Sequence, residues 1–323
     1  MRQKVVLFFI FFSFSVIFSL AQEEQIVFNS LADFKENERI LILAPHPDDE
    51  AIACAGVIQK ALKQGAKVKI VYLTMGENNE IAFIVYKKRP VLSKKEFIAL
   101  GKIRQKEAVK AMEVLGLKKE DLIFLGYPDF GTLSIFMRYW KSIRPYRSLL
   151  TRISSVPYFE AISFGAPYLA ESILNDLKKV LLDYQPQGIF VSHPLDTNVD
   201  HKAFYLFLQI ALAELKEKIP SPEVYPYLVH HVGWPLPRHY HPQLLLIPPQ
   251  EFCEQFFNWL KLDLTEEEIE NKKKAILCYK SQTMSSAFYL LSFARKNELF
   301  GGALEINLSA KPQEKKEFSW GLF

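Results

Sequence analysis

Three observations predict an α/β fold with a Rossmann-like, mostly parallel, doubly wound sheet. Short apolar runs alternate with stretches of helical periodicity through most of the 323 residues. The first such unit reads strand, helix, strand, which within one sheet implies a parallel pair with a right-handed crossover. The chemically suggestive clusters begin where predicted strands end, the side on which such sheets bind ligands.

Taken in order, Arg39 to Ala44 is short, apolar and bounded by charge before and proline after, as a buried strand should be. Ile52, Gly56, Ile58 and Leu62 space a helix over Asp49 to Lys63, ended by Gly65. Val68 to Leu73 is the second strand. Gly76 to Ser93 shows no period and reads as a variable stretch. Phe97, Ile98, Ile103, Val109, Met112 and Leu115 then mark a helix over Lys94 to Leu115, capped by Gly116. Leu122 to Leu125 is a third strand, running into Gly126-Tyr127-Pro128-Asp129-Phe130-Gly131. A helix over Leu169 to Leu182 and a strand over Gly188 to Ser192 follow, then a helix that His201 opens and that runs through Phe204 and Leu208. Beyond Ile219 prolines crowd the chain. Tyr225 to Val232 and Leu244 to Ile247 read as strands there, and Glu266 to Cys278 as a helix before Lys280-Ser281-Gln282. No flexible linker separates this part from the rest. We therefore expect an α/β domain over residues 22–219 and an extension of the same domain over 220–323.

Residues 1–21 have the layout of a secretory signal peptide. Arg2 and Lys4 form a basic start, Val5 to Leu20 is almost wholly apolar, and Ser19-Leu20-Ala21 offers a small-x-small cleavage site. The apolar run is short of the ~20 residues that span a bilayer. The expected location is therefore periplasmic or extracellular. The net charge of +4 includes Arg2 and Lys4; with no basic block elsewhere, it argues against nucleic acid as a partner. Cys54, Cys253 and Cys278 lack metal-ligand spacing. Cys54 reads as a buried thiol, and Cys253 and Cys278 can pair in an oxidising compartment.

Thr132 to Pro167 interrupts the alternation. Arg138, Lys141, Arg144, Arg147 and Arg152 are interleaved there with Tyr139, Trp140 and Tyr146. Peripheral contact with a membrane through residues 138–152, or with an anionic substrate, suits this composition. A folded loop covering the site, with its charges in water, is the reading this composition favours.

His46 and Asp49 stand three apart where the first strand turns into its helix, so both can converge above the strand tip. A catalytic zinc takes three ligands from His, Asp, Glu and Cys, leaving one position open. The third ligand is expected at another strand end, and His193-Pro194-Leu195-Asp196-Thr197-Asn198-Val199-Asp200-His201 supplies His201. Asp200 beside it is placed to hold one of the imidazoles. Asp48 is free to act as a base on water that the metal makes acidic. Glu50 reads as a favourable first-turn charge. Taken alone, Asp48 or Asp49 can equally be a helix N-cap.

These motifs resemble those of the PIG-L/LmbE-like zinc N-deacetylases, which remove acetyl groups from N-acetylglucosamine-containing substrates. The resemblance rests on Ala44-Pro45-His46-Pro47-Asp48-Asp49-Glu50, on Arg104 and Glu107, on Leu125-Gly126-Tyr127-Pro128-Asp129, and on Asp196 to His201. It implies that His46, Asp49 and His201 hold zinc, that Asp48 is the base, and that Arg104 and Asp129 bind the sugar. One position departs from the pattern. Asn198 stands where many members carry a histidine thought to stabilise the tetrahedral intermediate. An amide still donates a hydrogen bond but carries no charge, so His230 or His231 is a candidate replacement; His193 is another, better placed for a structural role.

The expected function is thus zinc-dependent removal of acetate from an N-acetylated amino sugar in a glycan or glycoconjugate. An amidase acting on a larger N-acyl conjugate keeps the same metal, and a non-catalytic carbohydrate- or metal-binding protein is the reading that Asn198 invites. Iron(II) also accepts two histidines and a carboxylate.

Overall fold

The strand over Arg39–Ala44 (β2) lies in the interior of the sheet, between two parallel neighbours, and is buried from Ile40 onward. A computed structural model describes residues 28–88, 93–252 and 258–301; the predicted signal peptide and Cys253 lie outside them. The eight strands are β1 (Asn29–Ser30), β2, β3 (Lys67–Thr74), β4 (Leu122–Tyr127), β5 (Gly188–Ser192), β6 (Glu223–Tyr227), β7 (Trp259–Asp263) and β8 (Asn297–Gly301). Their order across the sheet is β1-β7-β8-β6-β5-β2-β3-β4. All neighbours pair in parallel except β8, which runs antiparallel to both β6 and β7.

The helices are α1 (Asp49–Lys63), α2 (Glu80–Lys87), α3 (Lys94–Val114), α4 (Thr132–Arg138), α5 (Ala170–Tyr184), α6 (Val199–Leu215), α7 (Glu266–Cys278) and α8 (Lys280–Leu290). α1 and α3 pack against α7, while α5 packs against α6. Local signals explain several boundaries. The N–H of Gly116, at φ +96°, bonds to Glu113 O, and that of Leu117 to Met112 O, closing α3 through a conformation that glycine adopts freely. Thr265 and Glu268 form a reciprocal cap that starts α7.

From β2 the chain steps outward to β3 and β4, then returns to the other side of β2 with β5 and β6. The sheet therefore reverses direction between β2 and β5, which pair through Ile40 with Gly188 and Ile42 with Phe190. In such folds the crevice beyond these strand ends is the natural binding site. The loops leaving β2 and β5 carry His46 to Asp49 and His193 to His201.

Three expectations about the fold need correcting, and one segment left unassigned proves helical. Leu244 to Ile247 is not a strand. Beyond the backbone bonds of Leu244, Lys296 N to Leu244 O among them, it is held by side chains: Leu246 exchanges hydrogen bonds with the Asn297 amide, and Arg295 donates to Leu245 O. The strand expected over Tyr225 to Val232 stops at Tyr227, because the N–H groups of Val229 and His230 turn to the Asp196 carboxylate. The stretch from Gly76 to Ser93 contains α2, whose cap is Asn79 Oδ1 accepting from Ala82 N. Lys280-Ser281-Gln282 is the first turn of α8, which is kinked at Ser286.

His193 closes β5 as a buried ring, stacked on Phe252 and Trp259 and accepting from Leu195 N at 3.2 Å. Burial lowers its pKa to about 4, and Asp196 only partly opposes this. An unfolded histidine titrates near 6.5, so between these values the unfolded chain holds a proton that the folded chain does not. Stability from this group is complete above pH 6.5 and falls as pH drops towards 4, by roughly 3 kcal/mol at most. Urea unfolding at pH 7 and pH 4 should show His193→Gln losing less stability than wild type across that interval.

Candidate metal centre

Two loops build the centre. After β2, His46 N donates to Asp49 Oδ2 at 2.9 Å, closing a tight turn into α1. Asp48, inside that turn, takes φ 134° and ψ −27°, a conformation costly for a residue with a side chain. Its N–H is held by Glu50 Oε2 at 3.1 Å. After β5, Asn198 N donates to Asp196 Oδ1, and Asn198 Oδ1 accepts from Asp200 N at 2.8 Å, which caps α6 and sets His201 in its first turn.

The two loops meet at Asp49. Its Oδ2 lies 3.2 Å from His46 Nδ1 and 3.1 Å from His201 Nε2. Tetrahedral ligands at zinc bond lengths of ~2.0–2.1 Å stand about 3.3 Å apart, so these spacings suit one small cation. All three side chains are buried, and both ring nitrogens of His201 lack a hydrogen bond of acceptable geometry. The electrostatics agree. Burial works against charging either imidazole, yet Asp129, Asp200 and Asp49 hold the His46 pKa well above its ordinary value. Asp196 and Asp49 likewise lift that of His201 to about 9. The carboxylates of this pocket demand positive charge, which a divalent ion supplies. The donor set fits zinc, and His46, Asp49 and His201 are placed so that they could hold it.

The groups behind the ligands fix the rings. His201 Nδ1 faces Asp196 Oδ2 at 3.2 Å. His46 Nε2 faces Asp200 Oδ2 at 3.3 Å and Asp129 Oδ1 at 3.2 Å. Asp200 is itself gripped by Phe130 N at 2.6 Å, by Thr132 N at 3.1 Å and by a short bond from the Thr132 hydroxyl. Asp200 thus sits where the sequence suggested, behind an imidazole, although the ring it holds is His46 rather than its neighbour. Such carboxylate partners set the tautomer and direction of a ligating histidine.

Asp48 meets Arg104 Nη2 at 3.1 Å. Arg104 also donates to Gly76 O at 2.8 Å and Pro47 O at 2.6 Å, so it ties the Asp48 turn to the end of β3. Burial raises the Asp48 carboxyl, and despite Arg104 its pKa stands at about 7. Gly76, at φ +64°, has no room for a side chain: a Cβ there would fall 2.1 Å from Arg104 Nη1. Gly76→Ala should therefore displace the guanidinium, lower stability by roughly 1–3 kcal/mol in urea unfolding, and weaken the hold on Asp48.

One member of the site, Glu77, was not foreseen from sequence, while His230, named as a candidate replacement for the missing histidine, lies beside the ligands. His230 packs edge-on against His201, with ring centroids 4.7 Å apart. One of its nitrogens lies within 4.8 Å of the donors of His46, Asp49 and His201. Asp196 was visible in its motif but only the fold shows that it holds His201. Glu77 accepts from Asp129 N at 3.2 Å, and burial, helped by Asp129, raises its pKa to about 8. Glu50 stands in the first turn of α1 as expected, but not as a solvated charge: it is fully buried, bonded to the Tyr279 hydroxyl, and raised to about 8 by burial. His231 turns away to Glu251 at 3.1 Å.

A doubly wound sheet with a buried His-Asp-His cluster at its reversal point defines a metal-centred α/β protein. The chain belongs to the PIG-L family, described as GlcNAc-PI de-N-acetylase, whose model matches residues 41–212. It is 37% identical over 95 residues to a probable N-acetyl-alpha-D-glucosaminyl L-malate deacetylase 2 of Bacillus anthracis, covering 29% of this chain and 38% of that one. It is 28% identical over 185 residues to a 1D-myo-inositol 2-acetamido-2-deoxy-alpha-D-glucopyranoside deacetylase of a Mycobacterium species, covering 57% and 53%. The matches thus span about half or less of these relatives' lengths. Among solved structures, the zinc-inhibited form of teicoplanin deacetylase superposes with a TM-score of 0.51 at 15% identity, covering 81% of this chain and 97% of the other. The 4-carboxy-2-hydroxymuconate hydratase of Pseudomonas putida superposes with a TM-score of 0.50 at 20% identity, covering 80% and 82%. One fold carries both kinds of enzyme, so activity has to be argued from the site.

Proposed function

We propose that the chain is an exported, zinc-dependent N-deacetylase acting on an N-acetylated amino sugar within a glycan or glycoconjugate. The observation that carries this reading is a buried carboxylate, Asp48, poised near neutrality beside three convergent ligands. The named activities of the relatives, all on acetylated glucosamine derivatives, support the choice of substrate.

His46, Asp49 and His201 would hold zinc, which when bound would supply Lewis acidity toward the acetamide carbonyl and toward water. The chain's own groups do the rest. Asp48 takes the proton of the attacking water and returns it to the nitrogen as the amide bond breaks. Arg104 fixes Asp48 in place by charge and through Pro47 O. Charge developing on the carbonyl oxygen needs a donor. Asn198 commits its own oxygen to the cap, which leaves Nδ2 for this task; His230, beside His201, is the imidazole nearest to the departed histidine's role. Asp129, the carboxylate that the resemblance assigns to the sugar, is buried with Oδ1 3.2 Å from His46 Nε2, so it also holds that ring.

Product analysis separates this reading from an amidase. Incubation with N-acetylglucosamine oligomers and with longer N-acyl conjugates should yield acetate and a free amino sugar from the former. Preference for the longer acyl chains would transfer the site to the amidase reading.

A further inference from the structure

We propose that residues 137–152 form a face that docks on an anionic lipid bilayer and holds the metal centre close to its surface. The face lies outside the catalytic machinery and its case is independent of the reaction proposed above.

This segment contains Arg138, Lys141, Arg144, Arg147 and Arg152 and no acidic residue. None of the five is ion-paired among the described residues. Interleaved with them, large apolar side chains stand in solvent: Ile143 is 99% exposed, Leu149 77% and Met137 66%. Isolated apolar residues on a surface are ordinary, but such a cluster within sixteen positions is not.

The inner side of the segment is pinned, which accounts for the outward apolar groups. Tyr139 and Tyr146 meet edge-on at 5.5 Å. Ala170 N donates to Tyr139 O, and Tyr146 N to Tyr168 O. Ser148 and Thr151 are buried, and the N–H of Ser148 and of Arg152 bond to Ile153 O and Ser148 O. The loops are thus built, and Ile143 and Leu149 project from a structured base.

Charge complementarity selects the occupant. Basic side chains around protruding aliphatic ones match a bilayer interface, where the charges meet anionic headgroups and the apolar tips enter the acyl boundary. A second copy of this face would repel through like charge. A soluble polyanion would leave Ile143 and Leu149 in water. The placement also matters for the site. α4 begins at Thr132, whose hydroxyl and N–H grip Asp200, and ends at Arg138, a rise of about 9 Å.

Hydrogen exchange of the full chain tests this locally, whatever other segment touches lipid. Vesicles of 70% phosphatidylcholine and 30% phosphatidylglycerol should slow amide exchange in residues 139–152 at least tenfold. Pure phosphatidylcholine vesicles should not, and 0.5 M NaCl should weaken the effect. Arg144→Glu with Arg147→Glu, and separately Ile143→Ser with Leu149→Ser, should each abolish the protection with metal content unchanged. Absence of protection on the anionic vesicles overturns the proposal. Equal protection by heparin without lipid also overturns it, in favour of a polyanion site.

Discussion

Asp48→Asn is expected to slow acetate release by about 10²- to 10⁴-fold, the range that a general base contributes, while bound zinc stays at the wild-type level. The amide is isosteric and keeps the turn, since Asp48 is held there by its N–H to Glu50 and by Arg104, not by ligating the metal. What it loses is proton affinity. A carboxylate with a pKa of about 7 both accepts and returns a proton at neutral pH; an amide does neither. Measured kcat together with zinc content separates this from a folding defect. Wild-type turnover in the variant would remove Asp48 from the mechanism.

The largest effect on stability should come from Lys272→Met. Lys272 and Glu298 are both buried and meet at 2.7 Å between α7 and β8. Glu298 also accepts from the N–H groups of Gly56 and Val57, inside α1. Burial already raises the Glu298 pKa, with Lys272 as the chief opposing influence. Removing the ammonium strands a carboxylate in the core, a loss of about 3–5 kcal/mol. Urea unfolding should show it, and adding Glu298→Gln to Lys272→Met should recover much of it. A loss in the single variant below 1 kcal/mol would mean that the pair is not buried as described.

Much of the catalytic half of the fold was legible. β2, α1 and β5 follow the sequence reading residue for residue, because fully buried strands are short unbroken apolar runs and α1 has a clear period and stop. The rest was hidden for physical reasons. β8 carries buried Asn297 and Glu298, so hydropathy does not reveal it. Leu244 to Ile247 has a strand's composition but pairs with side chains, a difference that no short apolar run can report. α8 has weak periodicity and a kink. In the site, His46, Asp49 and His201 could be found because each follows a strand in a dense polar motif. His230 and Asp196 needed the topology: Asp196 finds His201, Val229 and His230 only because β6 lies beside β5. The resemblance gave Arg104 to the sugar, and the structure shows its guanidinium buried and tied to Asp48, Pro47 and Gly76.

The central claim is that this His-Asp-His centre is a metal-dependent deacetylase. Its most direct test is acetate release from N-acetylglucosamine oligosaccharides by the chain as isolated, after chelation, and after zinc is restored. The account predicts one zinc per chain, acetate and free amine in equal amounts, loss of both on chelation and recovery on reloading. A chain holding one zinc that binds these sugars and releases no acetate from any of them would contradict it.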